Sequence, residues 1–187
     1  MANYVSRRKS CRLCDSENFI LVMPILPSPI ADAFVGADKK DLPQPLIPLD
    51  LYQCQDCGHV QNLDIVNPDL LFRDYIFRTS SSAGLVEHFR KYADDIATGF
   101  NLAPKSLVLE IGSNDGTLLR FFKEKDMRVQ GVDPALEIAR QASESGIPTV
   151  PDFFTAELAA KILQDQGPAK LVVANNVFAH ADQLADV

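Results

Sequence analysis

The chain has 187 residues, 47% hydrophobic and 23% charged, with no tryptophan and a formal net charge of −7. Such a composition can bury a sizeable core, which excludes disorder as the overall description. Its only basic run is Arg7-Arg8-Lys9, and without clustered cations to release counterions from phosphates, nucleic acid is not expected as a partner.

Residues 1–67 hold all four cysteines and half of the prolines. Proline fixes φ and removes a backbone donor, so MPILPSPIADAF and DLPQPLIPLDL read as loops and short strands. From residue 68 to about 104 the texture is helical: Leu70, Leu71, Phe72, then Leu85, Phe89, Ile96 and Phe100 recur near helical spacing. Asn67-Pro68 reads as a helix start, whereas Tyr75 to Gly84 is too rich in Ser and Thr to be read as helix. From residue 105 strand and helix alternate. SLVLEI (106–111) is a strand, TLLRFFKEK a helix, RVQGVD a strand and ALEIARQASESG a helix closed by Gly146. A short strand at 147–150, the helix TAELAAKILQDQG and the strand AKLVVA (169–174) follow. Alternation of this kind predicts a parallel sheet of βαβ units in an α/β fold. Three regions result: 1–67, a helical connection over 68–104, and 105–187. No stretch approaches the roughly 20 apolar residues of a membrane span, and the N-terminus lacks the apolar segment of a signal peptide. A cytoplasmic setting is therefore expected, where four cysteines read as metal ligands or plain thiols rather than disulfides.

Cys11-x-x-Cys14 and Cys54-x-x-Cys57-Gly58 are two like-spaced knuckles, 39 residues apart. Each puts two thiolates on one tight turn, the reach needed for one tetrahedral Zn²⁺, with iron as the rival metal. Unliganded dithiols or a redox pair are the alternative. A redox motif, however, needs one CxxC opening a helix rather than two in a proline-rich segment. Four thiolates leave no open coordination position, so the metal is expected to be structural, with His59 a neighbour rather than a ligand.

The turn after SLVLEI runs Gly112-Ser113-Asn114-Asp115-Gly116. Its GxxxG spacing differs from the GxGxxG of dinucleotide folds, because Asn114 stands where a pyrophosphate would need a glycine. Glu110, just before the turn, argues against a phosphate ligand and for a cationic one; S-adenosylmethionine, with its ammonium and sulfonium groups, fits. Asp133 ends the second strand, 17 residues beyond Gly116, where a carboxylate can accept from two ribose hydroxyls. Asp152 follows the third strand and is placed to meet an adenine amino group, and Asn175 ends the fourth at the carboxyl edge. Each has a plainer reading: a helix cap for Asp133 and Asn175, a surface acid for Asp152. The set in consecutive units is what gives the cofactor reading its force. The candidate cofactor-binding residues are therefore Glu110, Gly112, Asn114, Asp115, Gly116, Asp133, Asp152 and Asn175.

The order CRLC, YQCQDCGHVQ, VLEIGSNDGTLLRFF, GVDPA, GIPTVPDFF and NNVFAHADQL resembles the sugar C-methyltransferase family from residue 11 onward. The resemblance implies a small four-cysteine zinc-binding domain followed by the N-terminal half of a Rossmann-like class I methyltransferase sheet. It implies S-adenosylmethionine and Zn²⁺ as cofactors and a nucleotide-linked 4-keto-6-deoxy sugar as substrate. The reaction would be methylation at C3: a base removes the proton beside the ketone and the enolate carbon takes the methyl group. By the family pattern His180 is an active-site residue, with a helix-surface histidine as the alternative. The stretch from Asp74 to Ser82 is similar to the family's substrate-side loop. The family often carries Tyr where this chain has Phe77, so the tyrosine role falls to Tyr75. The sheet of such an enzyme has seven strands and four are read here, so a truncated chain, inactive by itself, is expected; the family's principal base and its C-terminal domain lie beyond residue 187. Two other readings stay open, a methyltransferase acting on O or N and a non-catalytic zinc-stabilised binding module.

Overall fold

The computed structural model describes residues 4–184 and 187. By its contacts the chain divides at Phe72/Arg73, the first unit also taking in residues 182–184.

The first unit is antiparallel. Strand β1 (Val5–Arg7) pairs with β5 (Asp64–Val66), while β2 (Phe19–Met23), β3 (Leu51–Cys54) and β4 (Val60–Asn62) form a sheet in that order. The prolines of residues 24–48 fall in the long connection between β2 and β3, pinned by one bridge from Ser28 to Ile47. A sheet interior cannot use residues without an N–H, and the chain keeps them out of it. Helix α1 (Pro68–Phe72) closes the unit, with Asn67 Oδ1 accepting the Asp69 N–H at 3.0 Å. The cap read from Asn67-Pro68 is therefore present.

The second unit opens with α2 (Ala83–Gly99), capped by Ser82, whose hydroxyl accepts from Leu85 N–H. Then come β6 (Leu107–Ile111), α3 (Thr117–Glu124), β7 (Arg128–Val132) and α4 (Leu136–Glu144). The chain continues through β8 (Thr149–Val150), α5 (Ala156–Gln166) and β9 (Leu171–Ala174). The four strands are parallel in the order β8-β7-β6-β9. Every residue of β6 is buried, as a central parallel strand covered on both faces requires. Phe89 and Ala93 of α2 share one apolar cluster with Val108, Leu118, Leu119, Phe122 and Ile147, so the helical stretch read as a connection is built into the α/β core. Phe100, assigned to the same apolar stripe, lies past the end of α2 and is 66% exposed.

The chain steps outward from β6 through β7 to β8, then returns to lay β9 against the other side of β6. The strand order therefore reverses between β6 and β9. Open α/β sheets bind ligands in the crevice at such a reversal. Among the described residues no helix is long and apolar enough to cross a membrane.

Candidate functional site

The two cysteine knuckles are built alike. In the first, Asp15 N–H donates to Cys11 O and Cys11 N–H to Ser16 O; in the second, Gly58 N–H donates to Cys54 O and Cys54 N–H to His59 O. The residue after each second cysteine, Asp15 or Gly58, is left-handed, with φ of 58° and 77°. Glycine and aspartate are residues that tolerate that conformation. The result brings all four Sγ atoms within 4.8 Å of one another, with Cys11 to Cys57 and Cys14 to Cys54 both at 3.6 Å. Tetrahedral ligation with Zn–S near 2.3 Å puts sulfurs about 3.8 Å apart, so the set fits the ion. Leu13 N–H and the Gln61 amide donate to Cys11 Sγ at 3.4 and 3.1 Å. Burial raises the Cys11 thiol, but these amide donors and that of Cys14 outweigh it and bring it down to about 6. Cys14, despite a lowering contact from the Ser16 backbone, is pushed up to about 12 by its cysteine neighbours. Four sulfurs this close cannot all shed protons without a cation among them, and metal uptake resolves the conflict by releasing those protons. His59 stands outside the cluster, as expected.

The turn from Gly112 to Gly116 lies at the carboxyl end of β6. Both glycines have positive φ, 69° and 74°, and a Cβ on either would collide, with Val177 at Gly112 and with Ile147 at Gly116. Glu110 is fully buried behind the turn, and among the described residues its Oε2 has no hydrogen-bond partner. Burial, then the charges of Asp133 and Asp115, hold its carboxyl well above the usual range. Ser113 Oγ and Asn175 Nδ2 are likewise buried without partners, the first in the turn and the second just past β9. Three unpartnered polar atoms at the sheet's reversal point fit a polar ligand carrying positive charge, since orphaned groups of this kind are rare in finished interiors.

The other predicted residues are already engaged. Asp133 accepts Asn114 N–H at 2.7 Å and Ala135 N–H at 2.9 Å, one on each oxygen, leaving a lone pair on each. Burial nevertheless raises its carboxyl above the ordinary value. Asn114 and Asp115 turn their side chains to residues 77–80. Burial raises the Asp115 carboxyl, yet bonds from Ser80 and Thr117 bring it down overall. Asp152 is exposed and pairs with Arg73 at 3.0 Å, Arg73 also lying over the Phe153 ring. His180 ends an exposed 3-10 turn (Phe178–His180), and Tyr75 is half-buried in the stretch before α2. The sequence reading did not single out Gln61, Arg73 or Ser113. No motif marks them, and only the paired knuckle, the loop acid and the tight turn reveal their roles.

A four-thiolate metal centre in one unit, and in the other a parallel sheet with a Gly-x-x-x-Gly turn at its reversal point, define a zinc-binding domain joined to a Rossmann-like unit. Residues 11–72 match a family described as "Putative zinc binding domain". The whole chain is 32% identical over 187 residues to the C-methyltransferase NovU of Streptomyces niveus, covering 100% of this chain and 44% of that protein. The chain spans less than half the length of that relative. A solved structure, the plantazolicin methyltransferase BamL in complex with triazolic desmethylPZN analog and SAH, aligns with 41% of this chain and 29% of its own at 19% identity. The TM-score of that alignment is 0.30.

Proposed function

We propose that the protein is an S-adenosylmethionine-dependent methyltransferase that methylates C3 of a nucleotide-linked 4-keto-6-deoxy sugar. The observation that carries the cofactor is Glu110: a buried carboxylate with an unpartnered oxygen at the sheet's reversal point. Such a group is costly unless a cation or donor meets it. When bound, the cofactor supplies an electrophilic methyl group on a sulfonium. Glu110 and Asn175 serve through their open atoms and Asp133 through its spare lone pairs. Gly112 and Gly116 bring the backbone close, with Asn114 and Asp115 completing the turn. Asp152 is the adenine-side acid, shared with Arg73. On the substrate side Tyr75 is assigned to hydrogen-bond the developing enolate oxygen and His180 to line the site, in an enzyme working in the cytoplasm. The Zn²⁺ is structural, because four thiolates leave no position open.

The cofactor half is tested by calorimetric titration of the chain with S-adenosylhomocysteine, with NAD as control. Micromolar uptake of the first and none of the second is expected; uptake of NAD alone overturns the reading. The acceptor is tested with the protein extended to the length of its relative. A new C–CH₃ signal in the NMR spectrum of the sugar supports C3 transfer, and a methyl group on oxygen or nitrogen overturns it.

A further inference from the structure

The side chains of Asn114 and Asp115 do not point at the crevice that their turn borders. Asn114 Nδ2 donates to Phe77 O at 2.9 Å, and its Oδ1 accepts from Thr79 N–H at 2.9 Å and Thr79 Oγ1 at 3.3 Å. Asp115 Oδ2 accepts from Ser80 N–H at 2.9 Å, while its Oδ1 accepts from Thr117. Three of the four residues from Phe77 to Ser80 are thus hung on two. They lie 35 to 37 positions away in sequence, so the link is tertiary rather than a local turn. Only a primary amide supplies a donor to Phe77 O and an acceptor to Thr79 from one short side chain; aspartate lacks the donor and serine the reach. Thr79 is buried by the contact.

Asn114 also faces the other way. It sits at φ 49°, a conformation asparagine adopts more readily than most residues, and its N–H donates to Asp133 Oδ2 at 2.7 Å. One continuous path of hydrogen bonds therefore runs from the carboxylate at the end of β7, through the turn, to the stretch that begins two residues after Tyr75. We infer that Asn114 and Asp115 are positioning residues, whose side chains dock Phe77–Ser80 on the cofactor turn so that occupancy of the crevice and order of this segment are one equilibrium. The inference rests on the S-adenosylmethionine reading of the crevice. It assigns these two side chains to the coupling of the two halves of the site rather than to ligand contact. By linkage, a ligand that steadies the turn steadies the segment, and loosening the segment weakens the ligand by the same factor.

Hydrogen exchange followed by mass spectrometry, paired with calorimetry, tests this on the intact chain. The variants are Asn114→Ala, which removes the dock, and Thr79→Pro, which removes only the amide and hydroxyl it holds. Thr79 opens a 3-10 turn and Arg78 before it is extended at φ −115° and ψ 128°, so proline fits there without touching the turn at 112–116. In the wild type, residues 76–82 exchange slowly, and more slowly with S-adenosylhomocysteine bound. In either variant they exchange roughly tenfold faster and the affinity for S-adenosylhomocysteine falls roughly tenfold, with exchange in β6 and β7 unchanged. A purely structural latch would speed exchange but leave the affinity alone, and that result overturns the coupling. So does a wild-type chain that binds S-adenosylhomocysteine with residues 76–82 unmoved. A wild-type chain that takes up none overturns the cofactor reading itself, and the coupling with it.

Discussion

The two units hold their shapes by different means. Among the described residues of the first, Ile47 and Leu63 are the buried hydrophobic residues besides Cys11 and Cys54, while Ile20, Leu21, Val22 and Met23 of β2 are all half exposed. The second buries a continuous set from Leu107 to Val173, with Phe122, Leu118, Leu119 and Val108 almost wholly enclosed. A segment that cannot enclose a core needs a staple, and four thiolates supply it. The second unit, with a core of its own, can leave a carboxylate and an amide unpartnered at the proposed cofactor crevice. Stability stands in reserve where the site is, and is borrowed from a metal where it is not.

The sharpest way to break that contrast is to remove the metal. Chelation, or Cys11→Ser with Cys54→Ser, is expected to unfold the first unit outright, because ligation of this kind is worth about 10 kcal/mol or more at neutral pH. The second unit should keep its own thermal transition, read by circular dichroism alongside zinc release. Loss of both transitions together would show that the units do not stand separately. The converse test is Phe122→Ala, which empties a wholly buried ring site in the second unit. It should cost about 3–5 kcal/mol there and leave the zinc in place, measured by metal content of the partly unfolded protein.

How much of this the sequence disclosed follows the same division. The cysteine knuckles were legible because spacing alone fixes what two thiolates on one turn can do. The βαβ order was legible because apolar periodicity reports burial. The short strands β1 and β5 were not, since three-residue segments carry too little pattern and their pairing spans the unit. Nor was the engagement of Asn114 and Asp115 with Thr79 and Ser80. A side chain's partner 35 residues away leaves no periodic trace, and both residues read from sequence as ligand groups. The pairing of Asp152 with Arg73 was not legible either, since only the acid's position after a strand shows in the sequence.

Glu110 sharpens the comparison through pH. Its carboxyl is held well above the ordinary 4.5 by burial and by Asp133 and Asp115. The folded chain therefore keeps a proton that the unfolded chain releases. Stability is complete below the unfolded value and falls by about 1.4 kcal/mol per pH unit above it, until the buried group ionises as well. Glu110→Gln removes that slope. Denaturant titrations between pH 5 and 8 should therefore show the variant gaining on the wild type as pH rises, while it binds S-adenosylhomocysteine more weakly. Equal pH profiles for the two proteins would mean that the buried oxygen already has a partner.

The smallest effect probes the second unit where neither metal nor ligand is at stake. Thr155 caps α5, its hydroxyl accepting from Leu158 N–H at 3.2 Å, and only Ile162 of that helix is buried. Thr155→Ala leaves a donor of the first turn to water and should cost about 1 kcal/mol. The loss should be confined to faster exchange at the start of α5, with S-adenosylhomocysteine affinity and zinc content unchanged. The prediction discriminates because α5 packs on the sheet through Leu158 and Ile162 beside Leu109 and Val132, three residues from the turn on β6 and one from Asp133 on β7. If so slight a change at a distant cap did alter ligand affinity, the core would be passing strain to the crevice. The unit would then hold no stability in reserve for its site.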